Sequence, residues 1–133
     1  MKLVYGACFY PYENGTGYTV VVPDLPGCVT GGDDLASAIE MAVDAASGWV
    51  LDELESGGDV PPASELRRIV PESPDGFVNA IVLDMDEYAE KYGNKAIRKN
   101  VTIPNWLNTR AEQKGINFSQ VLKKALEEML HVS

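Results

Sequence analysis

The side chains best suited to recognition chemistry lie near the end of the chain, in the segment Ile-Arg-Lys-Asn-Val-Thr-Ile at positions 97–103. Alternation of apolar and polar residues predicts one half-buried β-strand here, although Lys99 interrupts it. The apolar side of this strand consists of Ile97, Val101 and Ile103. The polar side consists of Arg98, Asn100 and Thr102. Arginine can form two hydrogen bonds with guanine, asparagine can do so with adenine, and threonine offers a hydroxyl and a methyl group, so the polar side has the chemistry to read base edges.

Two helices are predicted after this strand. Pro104 ends the strand and opens a helix over about residues 105–114, with Leu107 and Ala111 on one face and Gly115 at its end. Asn117 and Gln120 predict the start of a second helix, in a pattern similar to a capping box. The second helix carries apolar residues at a period near 3.6, namely Phe118, Val121, Leu122, Ala125, Leu126, Met129 and Leu130.

The apolar stripe on the second helix is wider than one short strand and one short helix could bury, and a unit as short as residues 97–133 rarely folds alone. We therefore expect two copies to assemble around a two-fold axis, with their strands paired antiparallel and their helices interlocked. The predicted dimer core consists of Ile97, Val101, Ile103, Leu107, Val121, Leu122 and Leu126. The pairing leaves the polar sides exposed on a two-stranded ribbon, which fits the DNA major groove. A one-residue shift in register would exchange the two sides of the strand.

Strand, helix and helix in this order resemble the ribbon-helix-helix family of DNA-binding proteins, and the resemblance covers residues 97–131. It implies that Arg98, Asn100 and Thr102 read base edges and that the start of the second helix holds a DNA phosphate. By position, the phosphate site would comprise Asn117, Phe118 and Ser119, since a helix N-terminus presents unpaired N–H groups to an anion. The alternative is a dimerisation segment whose polar strand does not contact DNA.

Charge divides the chain near the same place. The formal net charge of the 133 residues is −9, which on its own argues against binding a polyanion. Residues 1–90, however, carry 3 basic and 17 acidic side chains (net −14), whereas residues 91–133 carry 8 basic and 3 acidic ones (net +5). Between Lys2 and Arg67 there is no lysine or arginine. So sharp a division predicts two working parts whose partners carry opposite charges.

Residues 1–92 are predicted to form one α+β domain with the element order βββαβα, followed by a linker over residues 93–96. The predicted strands cover residues 2–10, 18–22, 28–30 and 77–83, and the first three form an antiparallel meander.

Asp33 and Asp34 predict the start of a long amphipathic helix over about residues 34–55, with an apolar series from Leu35 to Leu54. Gly57 and Gly58 end it. The outer face of this helix is acidic, with Glu40, Asp44, Asp52, Glu53 and Glu55. A short helix over residues 84–92 follows the fourth strand.

The run Pro-Asp-Leu-Pro-Gly-Cys-Val-Thr-Gly-Gly-Asp at positions 23–33 resembles a motif of the HicB antitoxin family, and the resemblance covers most of residues 1–92. It implies a partial RNase-H-like domain in a type II antitoxin that neutralises HicA, a small basic toxin that cleaves mRNA. The ribbon-helix-helix part would then dimerise and repress the antitoxin's own operon. Assembly of the dimer and the toxin into a larger hetero-oligomer stays an open alternative. The acidic surface of residues 1–92 is expected to attract such an RNA-binding toxin, but the individual contact residues are not predicted.

Two other functions stay open. One is a repressor whose first domain senses a small ligand. The other is a metal-dependent nuclease, which an RNase-H-like fold suggests and which needs converging carboxylates. The candidates are Asp24, Asp33, Asp34 and Asp84, and none lies in the first strand, where a nuclease of that fold would place one.

No catalytic residue, metal site or cofactor is expected, because His131 is the single histidine and Cys8 and Cys28 fit two buried thiols. Charge-free stretches reach ten residues at most, well below the roughly 18 of a membrane span. The N-terminus has no recognisable secretory signal. We therefore expect a cytoplasmic protein without membrane contact.

Overall fold

The structure is a computed structural model that describes residues 1–93 and 96–132, and it divides the chain into two compact units between Ala96 and Ile97. The strands of the first unit are β1 (Lys2–Pro11), β2 (Tyr18–Val21), β3 (Val29–Gly32) and β4 (Phe77–Asp84). Its helices are α1 (Leu35–Glu55) and α2 (Met85–Tyr92), and the second unit contains α3 (Asn105–Gln113) and α4 (Phe118–Leu130). The chain is therefore a mixed α+β protein, and the order βββαβα of the first unit is confirmed.

The four strands form one antiparallel sheet in the order β3-β2-β1-β4. The long strand β1 is central, since Phe9 pairs with Val20 of β2 on one side and with Phe77 of β4 on the other. The predicted meander of the first three strands is confirmed. β3 begins one residue later than predicted because Cys28 belongs to the preceding turn, where its N–H donates to the Leu25 carbonyl at 3.0 Å.

Helix α1 packs against one face of the sheet through small side chains. Ala38, Ala42 and Ala46 are fully buried, and they allow the helix backbone to come close to the aromatic side chains of β1. The main large core residues from the sheet are Tyr5, Phe9, Val20, Ile81 and Leu83. Leu35 and Leu54 are exposed although they continue the apolar series, because they lie in the first and last turns of α1, at the ends of this contact. The core therefore depends on the middle of the helix.

The ends of α1 are formed as the sequence predicts. Asp34 Oδ1 accepts a hydrogen bond from the Ser37 N–H at 2.7 Å, and Ser37 Oγ accepts one from the Asp34 N–H at 3.2 Å. This capping box satisfies N–H groups that have no acceptor within the helix. At the other end Gly57 has a φ of 77°, in the left-handed region that favours glycine.

The segment between α1 and β4 crosses to the face of the sheet that α1 does not cover. It contains one short 3₁₀ turn, Leu66–Arg68. Tyr5 Oη donates a hydrogen bond to the Pro61 carbonyl at 2.6 Å, and the Glu72 N–H donates one to Tyr10 Oη at 2.9 Å. These contacts hold the loop against β1 at Tyr5 and Tyr10.

Cys8 and Cys28 are both buried and neither forms a disulfide, which confirms the prediction of two buried thiols. Burial raises the pKa of each thiol, so both stay protonated and unreactive at neutral pH. Every helix within residues 1–93 and 96–132 falls short of the length or the apolar character that a membrane span requires.

Candidate functional site

The second unit begins its helices where the sequence predicts. The Pro104 carbonyl accepts hydrogen bonds from the N–H groups of Leu107 and Asn108, both at 3.1 Å, which starts α3. Gly115 adopts a φ of 68° after α3, and Asn117 Oδ1 then accepts a hydrogen bond from the Gln120 N–H at 3.1 Å. Asn117 is therefore the N-cap of α4. The predicted helix pair and its cap are confirmed.

Within a single chain, the second unit has no buried side chain among its described residues, 97–132. Even the seven residues predicted for the dimer core are between 38% and 74% exposed. They are Ile97, Val101, Ile103, Leu107, Val121, Leu122 and Leu126. Trp106 and Ile116, which lie outside the predicted dimer core, are also exposed. An exposed apolar surface of this extent is typical of an interface, because burial of such side chains is the main stabilising term in folding.

Residues 97–103 are not part of a strand in the single chain. A strand needs a hydrogen-bonded neighbour, and the neighbour predicted for this segment is the same segment of a second copy. Arg98, Asn100 and Thr102 are all exposed. The paired ribbon and its base-reading side therefore stay a prediction.

The three residues predicted to hold a phosphate lie together at the start of α4, a helix of 13 residues. The Asn117 side chain is engaged as the cap, while the N–H groups of Phe118 and Ser119 belong to the first turn, which has no intrahelical acceptor for them. The partial positive charge at this end of the helix favours an anion. If a phosphate binds here, its hydrogen bonds come from the backbone N–H groups of Phe118 and Ser119. Asn117, as the N-cap, holds the first turn in its helical conformation.

The motif at positions 23–33 joins the sheet, the helix and the loop. Both carboxylate oxygens of Asp24 accept hydrogen bonds from Ser64, and Trp49 Nε1 donates one to the Pro26 carbonyl at 2.9 Å. Gly27 has a φ of 80° in the turn. A Cβ on Gly32 would lie 2.7 Å from Ala38 Cα and closer still to Ala38 N, so only glycine lets β3 meet the start of α1. The motif in this chain thus serves packing and turn geometry.

Most of the carboxylates considered for metal binding are engaged elsewhere. Asp24 anchors the loop, Asp34 caps α1, and Asp84 Oδ1 caps α2 by accepting from the Glu87 N–H at 3.1 Å. The backbone hydrogen bond from Ser37 lowers the pKa of Asp34. Among residues 1–93 and 96–132 no three histidine, cysteine or carboxylate side chains are grouped so that they could hold a metal ion.

A groove lies between α1, α2 and the outer edge of β4, with a volume of about 340 Å³. We call it the edge groove, and its lining is Glu40, Val43, Asp44, Ser47, Val82, Asp84, Glu87, Tyr88, Lys91 and Tyr92. The sequence pattern predicts Glu40 and Asp44 as part of an acidic helix face. The contribution of α2 is not visible in the sequence, because only the tertiary fold brings α2 beside α1. Burial raises the pKa of Tyr88, and the negative charge of Asp44 adds to the effect.

Comparison with known proteins shows similarity across both units. The family described as HicB-like antitoxin of bacterial toxin-antitoxin system matches residues 5–125. A protein of Haemophilus phage HP1, described as an uncharacterized 14.9 kDa protein in the rep-hol intergenic region, is 30% identical over 113 residues. That alignment covers 84% of this chain and 80% of the phage protein.

Two solved structures extend the comparison to three dimensions. A chain of a toxin-antitoxin complex from Streptococcus pneumoniae is similar with a TM-score of 0.62 and 26% identity, over 97% of this chain and 99% of that one. The antitoxin HicB of Burkholderia pseudomallei shares the fold with a TM-score of 0.56 and 24% identity, over 96% and 98% of the two chains. Since the family match covers most of its length, this chain belongs to the HicB-like antitoxins of bacterial toxin-antitoxin systems.

Proposed function

We propose that the first unit binds and neutralises a HicA-type mRNA-cleaving toxin, and that the second unit dimerises and represses the protein's own operon as a ribbon-helix-helix domain. In this proposal residues 1–92 are a partial RNase-H-like domain, residues 93–96 a linker and residues 97–133 the DNA-binding domain. The protein acts by binding in the cytoplasm, without a catalytic residue or a cofactor. Each half of the proposal rests on its own observation.

The observation that carries the DNA-binding half is the exposed apolar face of α3 and α4. Leu107, Leu122 and Leu126 are exposed in the single chain, so the simplest way to bury them is contact with a second copy of the chain. Two-fold pairing then places two copies of the basic second unit on one surface. Residues 91–133 carry a net charge of +5, and a dimer doubles it, which favours contact with DNA phosphates.

The toxin-binding half is supported by charge and by family membership. A first unit with net charge −14 over residues 1–90 attracts a basic, RNA-binding protein and repels nucleic acid. The carboxylates Asp24, Asp34 and Asp84 already cap helices or anchor the loop, which favours a binding role over a nuclease role. The similar chain from Streptococcus pneumoniae was solved as part of a toxin-antitoxin complex.

Two measurements test this function. A labelled DNA fragment from the promoter of the protein's own gene should bind the full-length protein, with an affinity that falls steeply as salt rises. We expect the gene beside this one to encode a small basic toxin, and co-expression of the full-length chain should relieve the growth arrest that this toxin causes. Absence of promoter binding contradicts the repressor half, and persistent arrest contradicts the antitoxin half. Promoter binding that responds to a small molecule, with no effect on arrest, would support the ligand-responsive repressor instead.

A further inference from the structure

Strand β4 ends the sheet with an edge that lacks the usual protection. It pairs with β1 on one side and is the terminal strand of the sheet formed by the described residues. Natural edge strands avoid unwanted pairing by being short or by carrying lysine or proline. The opposite edge strand, β3, is four residues long, whereas β4 has eight residues and contains neither lysine, arginine nor proline. An edge of this kind is suited to accept another strand.

The two faces beside this edge differ in character. Ile81 and Leu83 point towards α1 and are buried. Val82 and its pairing partner Val4 lie on the other face and are 53% and 48% exposed. Val82, at the outer edge of the sheet, also borders the edge groove. The loop after α1 thus leaves this cross-strand apolar pair uncovered. Side chains of a strand added to β4 would alternate between the two faces of the sheet, one bearing this apolar pair and the other facing α1, where Glu40 and Asp44 line the edge groove.

The lining of the edge groove is acidic and aromatic. Four carboxylates line it, from Glu40, Asp44, Asp84 and Glu87, against a single amine, Lys91. The Tyr88 and Tyr92 rings lie 4.7 Å apart at its rim. Aromatic faces attract guanidinium and ammonium groups, and the Lys91 ammonium already lies 5.4 Å from the centre of the Tyr92 ring. An arginine or lysine side chain that enters the groove would therefore meet both carboxylates and an aromatic surface.

We propose that an extended segment of the toxin, with alternating basic and apolar side chains, adds to the outer edge of β4 and places an arginine or lysine in the edge groove. This inference rests on the proposed toxin-binding function and gives it a place on the molecule. Charge complementarity selects this occupant. A second copy of the first unit would bring the same carboxylates against each other, and like charges disfavour that pairing.

The first test changes the charge of the groove. The double variant Glu40→Lys/Asp44→Lys and the matched control Glu13→Lys/Asp59→Lys alter net charge equally, and all four residues are exposed. Calorimetric titration of each full-length protein with a catalytically inactive form of the neighbouring basic protein gives the affinities. The groove variant should bind about 100-fold more weakly and the control less than about fivefold more weakly. Similar losses in both variants overturn the assignment of the groove.

The second test maps the edge itself and does not depend on a variant that folds. Amide hydrogen exchange of the unaltered full-length protein, measured with and without toxin, should show slower exchange within residues 77–84 in the complex. Protection confined to other elements overturns the β4 site. Protection of β4 that grows with protein concentration in the absence of toxin overturns the choice of occupant. If the unaltered protein does not bind the toxin at all, the proposed function fails; normal binding with unaffected groove variants contradicts only this inference.

Discussion

Asp24 and Ser64 are joined by two hydrogen bonds although forty residues separate them along the chain: the Ser64 N–H donates to Asp24 Oδ2 at 2.7 Å and Ser64 Oγ donates to Asp24 Oδ1 at 2.6 Å. The pair fastens the loop after α1 to the turn before β3. A residue that the sequence analysis considered for metal chemistry thus has both carboxylate oxygens engaged in holding the fold.

Replacing Asp24 with alanine should lower the free energy of unfolding by about 2 kcal/mol, because hydrogen bonds to a charged group are lost together. Thermal or urea unfolding followed by circular dichroism measures the change. The matched control is Asp59→Ala, which removes an exposed carboxylate from the loop after α1, the loop that contains Ser64. Equal stabilities of the two variants would show that the Asp24–Ser64 pair contributes little.

The apolar face of α4 should control assembly. Leu126→Glu places a charge in the predicted dimer core and should convert the dimer to monomer, which light scattering after size-exclusion chromatography detects. The melting temperature of the unaltered protein should also rise with protein concentration, since association stabilises the folded state. Lys123→Glu, on the same helix, should leave the dimer intact. A dimer that survives Leu126→Glu would place the interface elsewhere.

Arg98 should contribute to the sequence preference for DNA. Arg98→Ala is expected to weaken binding to the operator by about 1–3 kcal/mol and to relax the preference at one base pair of each half-site. Competition binding with operator fragments mutated at single positions measures both effects. Arg67→Ala removes an exposed arginine from the first unit and serves as the control. Unchanged affinity and specificity in Arg98→Ala would contradict the assignment of Arg98 as a base-reading residue.

The cap of α1 should give stability a defined pH dependence. The Ser37 N–H bonds the charged carboxylate of Asp34 and holds its pKa in the folded protein below the ordinary value of 3.8. The carboxylate therefore stabilises the fold fully above pH 3.8, and the contribution disappears as pH falls through the lower pKa of the folded state. Asp34→Ala should unfold at a lower temperature than the unaltered protein at neutral pH, with a difference that narrows in acid. A constant difference between neutral pH and about pH 2.5 would contradict this.

Local signals predicted the elements of this chain well. Asp34, Pro104 and Asn117 each begin a helix as expected, because a cap needs only neighbouring backbone groups and can be identified from a few residues. The apolar period of α4 is equally local. The predicted boundaries of α1 and α3 differ from the observed ones by a single residue, which reflects how much of a helix is specified within one or two turns.

The sequence by itself determined the division of charge, the order of elements and the family motif, since these follow from composition and from neighbours along the chain. Only the tertiary structure decided that Asp24 meets Ser64, that β4 ends the sheet beside β1, and that α2 adds Glu87 and Tyr88 to the carboxylates of α1. Such contacts depend on how distant segments pack. Hydrophobic periodicity predicts which side of an element is buried, but it does not predict which other element packs against that side. The edge groove is therefore a product of packing.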